Sequence, residues 1–120
     1  MKSKILALSK NEEFKKLIKQ KKITNKYVSI FFGKLQNKDK KRLNISFVTK
    51  KKIGNAVKRN KIKRRLRNII NEAVKKIKIN FDYSFLVIAK SSMLNNEYKI
   101  IKETLFKDFE KIKWIYLLQF

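Results

Sequence analysis

Four of the five arginines in this chain, Arg59, Arg64, Arg65 and Arg67, fall within nine residues of a sequence whose positive charge is otherwise carried by lysine. A guanidinium presents a planar fork of donors that matches phosphate oxygens and stacks on bases, which an ammonium cannot reproduce. Around the cluster, residues 50–67 read Lys-Lys-Lys-Ile-Gly-Asn-Ala-Val-Lys-Arg-Asn-Lys-Ile-Lys-Arg-Arg-Leu-Arg, ten basic residues in eighteen and no acidic one. Nothing inside the segment neutralises that charge, and like charges one helical turn apart repel. A polyanion would relieve the repulsion, so phosphate binding is the chemistry expected here.

Other chemistry has little to stand on. There is no His, the usual general base, and no Cys, so thiolate nucleophiles, thiolate metal sites and disulfides are all excluded. Between Glu13 and Glu72 the only acid is Asp39. A metal-dependent nuclease centre would have to gather distant carboxylates such as Glu72, Asp82 and Glu97. Thirty-three Lys and Arg against nine Asp and Glu give a net charge of +24, which attracts polyanions and opposes compaction of the bare protein. Lys, Ile, Asn and Phe are all frequent, so part of this basicity fits a compositional bias of the genome, and the clustered arginines carry more information than the lysines.

The elements that must position the cluster follow from the hydrophobic pattern. With 120 residues, 43% of them hydrophobic, the chain is expected to form a single domain over 1–120, with a core at about 5–113 and a tail at 114–120. Gly54 and Asn55 punctuate the start of the clearest helix, about 56–77, in which Ile62, Leu66, Ile69, Ile70, Ala73 and Ile77 recur at three- and four-residue spacing. On a regular helix Asn60, Lys63, Arg64, Arg67 and Asn71 lie within about 100 degrees of one another, opposite the Ile62, Leu66 and Ile70 stripe. Arg59 projects nearer that stripe, toward the sheet edge.

A first helix is expected over about 10–20, with Ser9 and Glu12 as a capping box. Strands are expected at Tyr27 to Phe32 and Leu43 to Thr49, paired antiparallel across a polar loop at 34–42. A buried strand at Tyr83 to Ala89 follows, then a last helix capped by Asn95 or Asn96 and carrying Tyr98, Ile101, Leu105, Phe109 and Ile112 on one face. The order α-β-β-α-β-α, with room for extra short strands, suggests an α+β two-layer sandwich with helices on one face of a small sheet. The apolar tail Trp114 to Phe120 has three readings: packing on the core, extending the helix, or making a contact. No stretch reaches the roughly 20 apolar residues of a membrane span, nor the apolar run of a signal peptide. The expectation is a cytoplasmic protein that uses neither a membrane nor an obligate protein partner.

Lys51-Lys52-Ile53-Gly54-Asn55-Ala56-Val57-Lys58-Arg59-Asn60-Lys61-Ile62-Lys63-Arg64-Arg65-Leu66-Arg67 resembles the signature of the bacterial ribonuclease P protein component. That family centres on an Arg-Asn-Arg motif, whose third position is Lys61 in this chain. The resemblance extends more weakly over about 5–113, including Asn11-Glu12-Glu13-Phe14 and the strand Ser84 to Ala89. Departures are Ser46 where the family usually has Gly, Ile18 where an aromatic is common, and the tail after Trp114. The resemblance implies a ribosomal protein S5 domain 2-like fold. In it, the strands before and after the basic helix run parallel through a left-handed crossover, against the general rule of hand.

It also implies a subunit of the ribonucleoprotein endoribonuclease RNase P, in which the RNA subunit, with Mg2+, removes the 5′ leader from precursor tRNA. The protein's partners would then be the ribonuclease P RNA and precursor tRNA. The residues expected to bind RNA are Lys51, Lys52, Asn55, Arg59, Asn60, Lys61, Lys63, Arg64, Arg65 and Arg67. A cleft between the first helix and the sheet would hold the leader on Phe14, Ile18, Ile30 and Phe32, since apolar and aromatic surface beside a positive groove stacks bases without sequence preference. A one-residue slip in strand register would exchange Phe32 for Phe31. Competing readings are a small ribosomal protein, an architectural DNA-binding protein and, more remotely, a membrane-surface protein.

Overall fold

The computed structural model describes residues 5–6, 11–34, 42–77, 79 and 81–117. Its elements run β1 (Ile5–Leu6), α1 (Asn11–Ile18), β2 (Lys21–Thr24), β3 (Val28–Lys34), β4 (Leu43–Val48), α2 (Ala56–Lys76), β5 (Tyr83–Ala89) and α3 (Tyr98–Leu117). Single 3-10 turns at Lys51–Ile53 and Ser91–Met93 precede α2 and α3. The expected α+β order holds, with β1 and β2 as the additional short strands.

The sheet has the strand order β1-β4-β5-β3-β2. This corrects the antiparallel pairing expected between the strands at Tyr27 to Phe32 and Leu43 to Thr49. β3 and β4 do not pair with each other; β5 lies between them, antiparallel to β3 and parallel to β4. The physical reason lies in the composition of β5. Tyr-Ser-Phe-Leu-Val-Ile-Ala is apolar at both parities and buried nearly throughout, as a strand covered on both faces must be. The parallel pair β4 and β5 is joined through α2, so the basic helix is the crossover connection.

Alternation along the strands sorts the side chains between two cores. Ile45, Phe85, Val87, Val28, Ile30 and Phe32 face α2 and α3 and pack with Ile62, Leu66, Ile69, Ile70, Ile101, Leu105 and Phe109. The rings of Phe85 and Phe109 meet at 5.5 Å and 60°. On the opposite face a smaller cluster holds Leu17 and Leu86, with Phe14, Phe31, Val48 and Ile88 packed against it. Thus α2 and α3 share one face as expected, whereas the short α1 covers part of the other. Between α2 and α3, Lys102 Nζ lies 2.8 Å from Glu72 Oε2, and Tyr98 Oη reaches Glu72 Oε1 at 3.5 Å.

The last helix continues through Trp114 to Leu117, so the described part of the tail extends it; Trp114 is exposed and Ile115 rests on the core. Neither asparagine caps its start as expected. The residue before the helix is Glu97, whose carbonyl accepts from Ile101 N, while the Asn96 amide turns back to donate to Ser92 O. Ser9, residues 35–41 and 118–120 lie outside the described residues, and so do the side chains of Asn11 and Glu12. No described helix is long and apolar enough to cross a membrane.

Candidate nucleic-acid interface

The entry into α2 is built by two residues with different tasks. Gly54 has φ 155° and ψ −168°, a conformation open essentially to glycine alone. A Cβ there would also sit 2.8 Å from Lys58 Cδ. Asn55 is the N-cap, its Oδ1 accepting from Lys58 N at 3.0 Å. The first turn of α2 holds no acidic residue. The helix therefore presents its N-terminal positive dipole and its cations together, an arrangement suited to anions.

Burial of Ile62, Leu66, Ile69, Ile70 and Ala73 fixes the rotation of α2. Lys51, Lys52, Asn55, Asn60, Lys61, Arg64 and Arg67 are exposed, and Lys63 and Asn71 are half-buried. Arg64 and Arg67 project from the side opposite the core, with Asn60 beside them. Arg59 is half-buried at the flank, as its position on the helix predicts, and its Nε is buried without a hydrogen-bond partner. Arg65 differs from the rest of the expected set. Its Nη1 donates to Met93 O and Asn96 O, both at 3.2 Å, so this guanidinium is engaged inside the protein.

The expected leader cleft needs a correction at two of its four residues. Ile30 and Phe32 are 0% and 1% exposed and lie in the core beneath α2 and α3, out of reach of any ligand in the α1 groove. The alternation of β3 puts Phe31 and Ser29 on the α1 side instead. Phe14 is half-buried on that side, and Ile18 is exposed at the end of α1. The register of the sheet sets Phe31 beside Leu86 and Ser29 beside Ile88, with Val48 on the far side of Ile88. Leu86 is buried beneath α1, and the half-buried Phe31, Ser29, Ile88 and Val48 form a largely apolar floor beside it, with the Lys22 ammonium 5.7 Å from the centroid of the Phe31 ring.

At the end of this floor, where β4 and β5 finish, a pocket of about 410 Å³ opens. Its lining includes Ser29, Lys50, Lys52, Ile88, Lys90 and Ser91. Ile88 belongs to both the apolar floor and the pocket, so the two surfaces are continuous. The sequence offered Phe31 here only through a one-residue slip, and did not place Ser29, Ile88, Lys90 or Ser91. Period-two alternation from a fixed β3 register would have found the first two, and a lysine soon after each of two parallel strands was the available sign for the pocket.

Among the described residues the carboxylates are dispersed, and Glu72 and Asp108 are held by neighbours. Its hydrogen bond to Lys102 holds the Glu72 carboxyl below its usual range, partly offset by burial, and the same bond raises Lys102. Asp108, which is 5% exposed, accepts from Asn25 Nδ2 at 2.5 Å. Among the described residues no three acidic side chains gather as a metal site would require. Glu72, Asp82 and Glu97 do not form the nuclease centre considered from sequence. What the assembled residues can do is bind a polyanion on α2 and a strand with an exposed base in the groove.

The family model described as Ribonuclease P matches residues 3–113. The ribonuclease P protein component of Bacillus pumilus is 38% identical over 105 residues, covering 87% of this chain and 85% of the relative. That of Carboxydothermus hydrogenoformans is 35% identical over 102 residues, covering 82% and 83%. A solved Staphylococcus aureus RNase P protein, a mutant described as having defective mRNA degradation activity, superposes with a TM-score of 0.71 at 30% identity, covering 89% of this chain and 86% of that one. With a match over nearly its whole length, and with the basic signature on the outward face of the crossover helix, the chain belongs to the ribonuclease P protein component family.

Proposed function

We propose that the chain serves ribonuclease P by holding two RNAs on two surfaces. The exposed face of α2 binds the catalytic RNA, and the groove under α1, with the lysines of the turn before α2 at its end, holds the single-stranded 5′ leader of precursor tRNA. Membership of the family makes the chain a protein subunit of a tRNA-processing ribonucleoprotein endoribonuclease and associates it with the ribonuclease P RNA. The observation that carries the finer reading is the division of positive charge. Arg64 and Arg67 face outward on α2, while the exposed Lys50 and Lys52 stand beside an apolar floor at the far end of the sheet. A duplex or structured RNA suits the first surface, where cations stand on a helix with no stacking surface among them. An extended strand suits the second, where bases can stack on Phe31 and Phe14 while Lys50 and Lys52 reach its phosphates.

In this reading the phosphodiester cleavage belongs to the RNA subunit. Magnesium ions act with that RNA, and among the described residues the carboxylates do not gather into a magnesium cage. The protein contributes by neutralising phosphates, holding the leader in an extended path and so favouring precursor over product. The cytoplasm, where precursor tRNA is processed, is the compartment this role requires. A general RNA-binding role, such as that of a small ribosomal protein, accounts for the charge but not for the family match.

The test is the affinity of an RNA–protein holoenzyme for precursor tRNA carrying leaders of increasing length, against mature tRNA. Affinity should rise with the first few leader nucleotides when the chain is present and stay flat with the RNA alone. A protein-dependent gain that is equal for precursor and mature tRNA would overturn the leader assignment.

A further inference from the structure

Arg65 lies on the flank of α2 turned toward α3, away from the outward stripe of Arg64 and Arg67. The segment it holds, residues 90–96, joins β5 to α3 and has its polar groups paired in sequence. Lys90 O accepts from Met93 N, Ser91 O from Leu94 N, and Ser92 O from the Asn96 amide. Arg65 Nη1 donates to two further carbonyls of the segment, Met93 O and Asn96 O. The Met93 side chain is fully buried.

The opposite side of the segment is tied to the turn between β2 and β3. Lys90 Nζ donates to Asn25 O at 2.6 Å and to Thr24 Oγ1 at 3.1 Å, Lys90 N donates to Tyr27 O at 2.8 Å, and Ser92 Oγ donates to Lys26 O at 2.6 Å. The segment is thus clamped between the basic helix on one side and the hairpin on the other. Its first two residues, Lys90 and Ser91, line the lysine pocket. A guanidinium given to two neutral carbonyls, on a helix whose Arg64 and Arg67 face outward, places a charge-assisted bond where it orders backbone.

We propose that Arg65 is a positioning residue, which sets the Lys90–Ser91 rim of the groove from the helix that binds the catalytic RNA; the proposal rests on the assignment of that groove to the leader. It follows that Arg65 influences leader recognition without contacting RNA, unlike Arg64 and Arg67.

Arg65→Met keeps the apolar stem and removes the fork, Arg65→Lys keeps one donor group, and Ser92→Ala loosens the same segment from the hairpin side without altering α2. Each is assembled with ribonuclease P RNA, and three readouts are taken: the ratio of precursor to mature tRNA affinity, the salt dependence of binding to the RNA subunit, and amide exchange at Met93 and Leu94. In Arg65→Met the ratio should fall by about tenfold, the size expected on removing charge-assisted hydrogen bonds at a partly buried site. The two amides should exchange faster and the salt slope should stay unchanged. Arg65→Lys should recover part of the ratio, and Ser92→Ala should lower it in the same direction.

A precursor preference left intact in a folded Arg65→Met holoenzyme overturns the proposal. So does a salt slope reduced by roughly one, which would make Arg65 a phosphate ligand. If Arg65→Met does not fold, an unchanged ratio in Ser92→Ala overturns it instead. A wild-type holoenzyme without precursor preference overturns the leader assignment itself, a result distinct from any of these.

Discussion

Replacing Phe31 by Ala and, separately, Phe32 by Ala should divide function from stability between two adjacent residues. Phe32 is 1% exposed among the side chains of α2 and α3. Its truncation leaves a cavity in the main core, costing about 3–5 kcal/mol, a large share of the ~5–15 kcal/mol that holds a domain together. Phe31 is half-buried on the other face, between Lys22 and Leu86, and shares the smaller cluster with Phe14. Its truncation exposes only part of that cluster and should cost roughly 1–2 kcal/mol of stability.

Stacking of a base on an aromatic side chain contributes about 1–3 kcal/mol, and about 1.4 kcal/mol corresponds to tenfold in affinity. Phe31→Ala should therefore weaken holoenzyme binding of precursor tRNA by roughly five- to 150-fold and leave mature tRNA nearly unaffected. Phe32→Ala should show mainly a lowered unfolding midpoint, with the precursor preference retained at temperatures where it is folded. The assay is equilibrium unfolding of each variant, followed by precursor and mature tRNA titrations on the folded fraction. Equal losses for both tRNAs in Phe31→Ala, or a loss of preference confined to Phe32→Ala, would refute the assignment of Phe31 to the leader.

Neutralising Arg64 and Arg67 together should weaken binding to ribonuclease P RNA and flatten its dependence on salt, the slope falling by roughly one for each phosphate that is no longer neutralised; a titration at several salt concentrations reads this directly. Gly54→Ala forces a side chain into a φ of 155° and against Lys58, and should destabilise the fold by about 1–3 kcal/mol, measurable as a lower denaturation midpoint. Glu72 has its folded-state carboxyl held low and its partner Lys102 held high. Its stabilising contribution is present at neutral pH and is lost as pH falls through the depressed carboxyl value, so Glu72→Gln should reduce the difference in stability between neutral and acidic solution. Unfolding curves across that range with identical pH dependence in wild type and variant would contradict it.

Local signals made part of this architecture readable beforehand. The Gly54-Asn55 pair and the spacing of Ile62, Leu66 and Ile70 define where α2 starts and which side it buries, and the same spacing leaves Arg64 and Arg67 outside. β5 was recognisable as a buried strand from its unbroken apolar run. Its position between β3 and β4 was not, because a partner in a sheet is chosen by contacts far apart in sequence, and adjacency along the chain suggested a hairpin. The face of Phe32 was ambiguous for another reason. Tyr27 to Phe32 carries apolar residues at both parities, so the periodicity could not say which set meets the larger core. Arg65 was grouped with its neighbours because residue type and helix position cannot reveal an acceptor in a segment nearly 30 residues further on. The lysine pocket likewise gathers residues from β3 and from beyond the ends of β4 and β5, and exists only once those strands are side by side.

In its proposed role this chain assists a catalytic RNA in removing the 5′ leader, with the chemistry lying in the RNA. The direct measurement is reconstitution of a bacterial ribonuclease P RNA with the chain at low magnesium, following leader release from a precursor tRNA beside controls with RNA alone and protein alone. Cleavage should require the RNA, be stimulated by the protein, and be absent with the protein alone. Failure of the protein to stimulate a competent RNA would contradict the subunit role, and cleavage by the protein alone would contradict the assignment of catalysis to the RNA.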